Sequence, residues 1–124
     1  MTSAARVVLA DDHDSYRQGL ARAIARCRDL ELVGEASDGQ AALELVRTTA
    51  PDLVVLDVRM PGMTGLELAR ELQGLKGTTV VLLTGTATTA LGEAARAAGA
   101  RAVLSKELSR HDICRRLLKI QQVL

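Results

Sequence analysis

Four short apolar stretches of this chain each stop at a residue that can hold or transfer charge. RVVLA (6–10) runs into Asp11-Asp12, DLVVLD (52–57) ends on Asp57, TVVLLT (79–84) ends on Thr84, and RAVLS (101–105) precedes Lys106. Three carboxylates brought within a few ångströms repel one another, and a carboxyl pKa rises unless a cation joins them. A hard divalent ion such as Mg²⁺ meets that need, since it takes oxygen ligands in an octahedral shell and keeps several waters. Lys106 and Thr84 would then offer a point charge and a hydroxyl donor to a phosphoryl group. One carboxylate is left to act as nucleophile, and aspartyl phosphate is a known kind of covalent intermediate. Asp57 is the candidate, because it closes a run apolar enough to be buried on both faces and a Pro61-Gly62 turn follows it. Phosphoryl transfer asks little of a protein beyond position and charge neutralisation.

For these groups to meet, the segments between them must fold back repeatedly. After the first run, Leu20, Ala23, Ile24 and Cys27 recur at helical spacing and form one face. LELVGEA (30–36) alternates, with Glu31 and Glu35 on the same side, as suits a strand at a sheet edge. Asp38-Gly39 marks a turn, and a helix through Ala42, Leu43 and Val46 is predicted to run to Pro51. A third helix places Gly65, Leu68, Ala69 and Leu72 in phase, with Thr64 as its N-cap. A thin helix over 88–98 carries one large apolar residue, Leu91, and has Gly92 inside it. The last helix aligns Ile113, Leu117, Ile120 and Leu124, with Ser109 as cap and Asp112 three residues on. Five strands thus alternate with five helices. Such alternation implies βαβ units and a parallel sheet with helices on both faces, a three-layer α/β/α sandwich. All five polar groups then fall at the carboxyl edge of the sheet, where open α/β sheets bind ligands.

The totals narrow the function classes. The chain has 124 residues, 48% of them apolar, which is enough for one core and one domain spanning 1–124. Charged residues make up 25% and the net charge is +1, against the clustered basic excess of a nucleic-acid surface. Phe and Trp are absent and Tyr16 is the sole aromatic, so base stacking is excluded. No apolar run approaches the roughly 20 residues of a membrane span, and MTSAAR lacks the apolar core of a secretory signal, so the cytoplasm is expected. Cys27 and Cys114 are far apart and read as free buried thiols. No glycine-rich nucleotide loop is present.

Taken together, VLADDH (8–13), VVLDVRMPGMTG (54–65), LLTG (82–85) and AVLSKE (102–107) resemble the receiver domain of bacterial two-component response regulators, in order and spacing over essentially the whole chain. The resemblance implies a flavodoxin-like, CheY-like fold with strand order 2-1-3-4-5. It implies Asp57 as phosphoacceptor, Asp12 as a direct Mg²⁺ ligand, Asp11 as a ligand mostly through water, and Arg59 as a ligand through its backbone carbonyl. Thr84 and Lys106 would bind the phosphoryl oxygens, and a sensor histidine kinase would be the donor. VLADDH with Lys106-Glu107 is similar to the branch that carries a C-terminal helix-turn-helix (LuxR-type) DNA-binding domain. Transcription control through such an output domain, absent from this chain, is the implied role.

One position departs from the family pattern. Three residues before the lysine the family usually has an aromatic or His that swings inward, and here stands Val103. The thin helix 88–98 is the expected carrier of any conformational change. The competing reading is a non-switching interaction module that binds partners without phosphate. A Mg²⁺-dependent phosphohydrolase would need a further acid near Asp57, where Arg59 stands. Arg59 either gates the attacking water or is a solvated or Asp14-paired side chain. His13 reads as a loop histidine outside the site, since Mg²⁺ prefers oxygen. Arg115, Arg116 and Lys119 read as a solvated face, with a partner or homodimer surface as the alternative.

Overall fold

The apolar runs form strands because Val and Leu side chains can project to both faces of a sheet that helices cover on each side. A computed structural model describes residues 3–122. In chain order it has β1 (Ala5–Ala10), α1 (Asp14–Ala25), β2 (Leu30–Ala36), α2 (Gly39–Thr49), β3 (Leu53–Asp57), α3 (Gly65–Glu71), β4 (Thr79–Thr84), α4 (Thr89–Ala97), β5 (Ala102–Ser105) and α5 (Arg110–Gln122). The strands form one parallel sheet of order β2-β1-β3-β4-β5, as expected. Leu124, the last member of the predicted stripe on α5, lies outside the described residues.

Alternate residues divide into two cores. Val8, Ala10, Val54, Leu56, Val80 and Leu82 face α2, α3 and α4. Val7, Leu9, Leu53, Val55, Val81 and Leu83 face α1 and α5, against Leu20, Ile24, Ile113 and Leu117. Each of the Val, Leu and Ile side chains among them, when fully buried, contributes about 1.5–3 kcal/mol. All five residues of β3 are buried, which is what a central parallel strand requires.

The edge strand β2 differs from the expectation. Val7 pairs with Leu32 but Val8 pairs with Gly34, so Val33 is an extra residue in the ladder. A bulge of this kind shifts the side-chain alternation by one. Leu30 and Leu32 pack toward α1, whereas Val33 and Ala36 pack on the opposite core. Glu35, beyond the bulge, points to α1 and meets Arg17. Glu31, before it, therefore lies on the other face, and the two glutamates do not share a side.

Helix ends follow local chemistry. Asp38 caps α2 by accepting from the Ala41 N–H at 2.8 Å. Contrary to the predicted run to Pro51, α2 ends at Thr49 and Ala50 turns into the left-handed region with φ 46°. The residue before a proline is disfavoured in the helical region, which explains the early exit. Thr64 and Glu67 form a reciprocal capping box at the start of α3. Ser109 accepts the Asp112 N–H at 3.0 Å at the start of α5. α4 fully buries only Ala95, and nothing lies within 4 Å of the space a side chain would take at Gly92.

Candidate functional site

Parallel strands deliver their last residues to one edge. Asp57 and Thr84 close β3 and β4, Asp11 follows β1, and Lys106 follows β5. The edge is deepest where β1 and β3 are neighbours, because β1 connects outward to β2 while β3 leads the other way to β4. Asp11 is fully buried and Asp57 is 4% exposed. Asp12 stands at the rim, its side chain 34% exposed. Gly65 sets how α3 meets this edge. A Cβ there would lie 2.4 Å from the Asp57 carbonyl oxygen, so only glycine lets the helix start against the end of β3.

Lys106 reaches into the acids. Its Nζ lies 2.6 Å from Asp11 Oδ2, an ion pair outside hydrogen-bonding alignment, and 3.4 Å from Asp57 Oδ1. Asp57 Oδ2 is buried with no hydrogen-bond partner. Burial, and then the charge of Asp11, push the Asp57 carboxyl up from 3.8 to about 6, while Lys106 and the Arg59 backbone N–H pull the other way. Burial and the Asp11 charge together outweigh Lys106 and the backbone N–H, and the cluster is short of positive charge. Oxygen atoms of Asp11, Asp12 and Asp57, together with His13, lie within 4.8 Å of one another. A buried, unpartnered carboxylate oxygen inside an oxygen-rich cluster fits a hard divalent ion.

Not every expected contact is present. Asp11, Asp12, Asp57 and Lys106 come together. Thr84 lies on the same edge, but its hydroxyl donates to the Thr86 carbonyl at 3.0 Å and accepts the Thr86 N–H at 3.1 Å. It is tied to the loop leading into α4 rather than to the acids. The Arg59 side chain is exposed, and Asp14 pairs with Arg17 at 2.8 Å, not with Arg59. Val103 is partly buried against the α2–α4 core. Cys27 and Cys114 are free, and burial, with Cys27 nearby, pushes the Cys114 thiol up to about 11. Arg115 and Arg116 are exposed, with Arg115 3.9 Å from Asp112.

His13 is a correction to the sequence reading. Its Nδ1 lies 3.2 Å from Asp11 Oδ1, 3.3 Å from Asp12 Oδ1 and 3.7 Å from Asp57 Oδ2. The N–H of its own backbone also donates to Asp11 Oδ1 at 2.9 Å. That short turn folds the ring back over the carboxylates instead of leaving it outside them.

Two further residues shape the site. The Tyr16 ring lies beneath Lys106, with Nζ 4.7 Å from its centroid, and Arg110 approaches the ring at 5.4 Å. Burial and the Asp11 charge push its hydroxyl up to about 12. Arg17 donates from Nη1 to the Asp11 carbonyl at 2.8 Å and so anchors the acid turn to α1. For Tyr16 the available signal was its standing as the only aromatic, five residues after the first acid. For Arg17 no spacing rule distinguishes it from the neighbouring arginines.

An open, doubly wound parallel sheet with a buried aspartate, flanking acids and a lysine at its switch point defines a phosphoryl-accepting α/β domain rather than a nucleotide fold. The family model for the response regulator receiver domain matches residues 7–118, and the chain belongs to that family. The family role is a phosphorylation-dependent switch served by histidine kinases. The chain is 39% identical over 114 residues to the transcriptional regulatory protein NarL of Mycobacterium tuberculosis, covering 91% of this chain and 53% of that one. It is 44% identical over 105 residues to a protein-glutamate methylesterase of Burkholderia thailandensis, covering 83% of this chain and 30% of that one. The solved receiver domain of the Mycobacterium tuberculosis NarL superposes with a TM-score of 0.92 at 36% identity, covering 98% of each chain. The chain therefore spans about half, or less, of the length of these curated relatives. Among the described residues no helix is long and apolar enough to cross a membrane.

Proposed function

We propose that residues 1–124 act as one receiver domain in which Asp57 takes a phosphoryl group from the phosphohistidine of a sensor kinase. Asp57 attacks phosphorus, the P–N bond breaks, and the imidazole leaves and recovers a proton. Lys106 lies within reach of the acceptor, so its ammonium offsets charge on the phosphoryl oxygens. Asp11, Asp12, Asp57 and the Arg59 carbonyl would hold Mg²⁺. When bound, that ion neutralises the carboxylates and the incoming phosphoryl oxygens. Thr84 must give up Thr86 to bind a phosphoryl oxygen, which frees the loop before α4. The domain is a switch on itself and not a turnover enzyme on external substrates. Its setting is the cytoplasm, and its output is transcription control, as the name of its NarL relative suggests.

The observation that carries this reading is the buried Asp57 carboxylate, with Oδ1 3.4 Å from Lys106 and Oδ2 left without a hydrogen-bond partner. Incubation with a small phosphodonor and Mg²⁺, followed by intact mass, tests it. One added phosphoryl group, lost in Asp57→Asn, supports the switch. Absence of any adduct while Mg²⁺ binds overturns it in favour of the interaction module, the reading that Val103 in place of a swinging aromatic keeps open.

A further inference from the structure

We propose that His13 turns the acid pocket into a four-ligand site for a borderline divalent transition ion, of the nickel, cobalt and zinc class, with the imidazole Nδ1 as its nitrogen ligand. The inference rests on reading the same pocket as a cation site. It concerns which ion the pocket prefers, and through which residue.

Geometry comes first. Ligand atoms about 2.0–2.2 Å from a tetrahedral or octahedral ion lie roughly 3–4 Å from one another. The Nδ1 separations of 3.2, 3.3 and 3.7 Å from oxygens of Asp11, Asp12 and Asp57 fall in that interval. Asp57 Oδ2, the most distant of the three, is also the buried oxygen without a hydrogen-bond partner, on a side chain only 6% exposed. It faces the same space as the ring nitrogen. The His13 side chain is 66% exposed, so an ion can reach that space from solvent without the core opening.

Donor chemistry then separates metals. Carboxylate and water suit Mg²⁺, whereas imidazole suits zinc, copper, nickel and iron. An all-oxygen pocket gains little selectivity from its ligands. Replacing one oxygen by Nδ1 raises affinity for the nitrogen-accepting ions and leaves that for Mg²⁺ unaided. Lys106 Nζ, 3.5 Å from Nδ1, makes the cluster less hospitable to any cation, so the contribution of the ring matters to whether such an ion is held.

Calorimetric titration of the untagged chain near neutral pH, with Mg²⁺ and separately with Ni²⁺, tests this. His13→Ala should weaken Ni²⁺ by at least about tenfold, the scale on which shaping a metal site acts, and leave Mg²⁺ affinity where it was. His13→Asn, which restores an oxygen donor only, should behave like His13→Ala. His111→Ala should change neither ion, because His111 is exposed on α5, away from the acids. Nitrogen NMR of the imidazole should show the His13 Nδ1 signal move on titration with Zn²⁺. Equal Ni²⁺ affinity in the protein and in His13→Ala overturns the role of the ring while the cation pocket stands. Failure of both ions to bind the unsubstituted chain overturns the pocket reading, and this inference with it. His13 forms no side-chain cap on α1, so both substitutions leave the helix start intact, and unchanged Mg²⁺ binding verifies it.

Discussion

In the presence of a chelator, Asp57→Asn should stabilise the domain at about pH 8 and leave it nearly unchanged at about pH 4. The native carboxyl is raised from 3.8 to about 6, by burial first and by Asp11 second. The native state therefore holds this proton more tightly than the unfolded chain does. Stability contributed by the protonated form is fully present below about pH 4 and is lost as pH rises through about 6. The rise in pKa, at about 1.4 kcal/mol per tenfold, gives a deficit of about 2–3 kcal/mol above that window. Asparagine has nearly the same shape and no charge, so it removes the deficit. For a domain of this size the gain is roughly 10 °C in Tm. Urea unfolding followed by circular dichroism, at a series of pH values, measures it. Mg²⁺ at about 100 times its Kd should close the gap, since it adds about 2.7 kcal/mol to the protein that binds it, close to the deficit. A variant no more stable than the protein at high pH, or a gain that does not shrink toward pH 4, would refute the claim that the acid cluster is short of positive charge.

Ala50→Gly should raise stability by about 0.5–1 kcal/mol in the same assay, because a left-handed alanine costs about 1–2 kcal/mol and glycine loses about 0.5–1 in extra unfolded-state freedom. Gly65→Ala should cost roughly 1–3 kcal/mol, since its Cβ meets the Asp57 carbonyl oxygen at 2.4 Å, and should lower phosphoryl uptake in the intact-mass assay. Tyr16→Phe should stabilise by about 1 kcal/mol, because the buried hydroxyl has no partner while the ring remains beneath Lys106; a loss on thermal melting would mean that the hydroxyl is satisfied after all. A phosphoryl analogue with Mg²⁺ should change amide exchange over residues 85–98 and leave β3 untouched; unchanged exchange over 85–98 would remove α4 from the switch.

The fold was legible because four of the five strands are continuous aliphatic runs, β2 alternates as an edge strand does, and the helices other than the thin α4 keep one clear apolar face, patterns set by burial alone. The acids and Lys106 were legible because a strand end is a fixed address in a parallel sheet. What escaped depends on turns. The β2 bulge rests on one unpaired residue, Val33, and its single sequence signal was the adjacent Gly34, an isolated glycine inside a strand. His13 enters the site because its backbone N–H bonds to Asp11, a contact that spacing does not encode. Thr84 was placed on the right edge, but the direction of its hydroxyl depends on Thr86, which no strand pattern governs. Arg17 acts through a backbone carbonyl, and any nearby arginine fits the same sequence rule.

Magnitudes decide which part of the domain can move when Asp57 is modified. Moving an equilibrium from 1:99 to 99:1 takes about 5.5 kcal/mol. β3 and β4 each bury four or more side chains between two helix layers, at about 1.5–3 kcal/mol apiece, so displacing a strand costs more than that. α4 fully buries Ala95 alone, carries Gly92 at about 1 kcal/mol against alanine, and is tied to the site only by the two Thr84–Thr86 hydrogen bonds, worth about 1 kcal/mol each. A phosphoryl oxygen that captures the Thr84 hydroxyl breaks that tie and leaves α4 held at its C-terminal end, by Ala95, Ala98 and the Gln73 Nε2 bond to the Ala97 carbonyl at 3.1 Å, with its N-terminal end free to shift. No aromatic at 103 is needed for this, because the loop from Thr84 to Thr88 connects the site to α4 directly. On the proposed reading the switch runs along the backbone that follows β4, and the sheet serves as the rigid frame against which it moves.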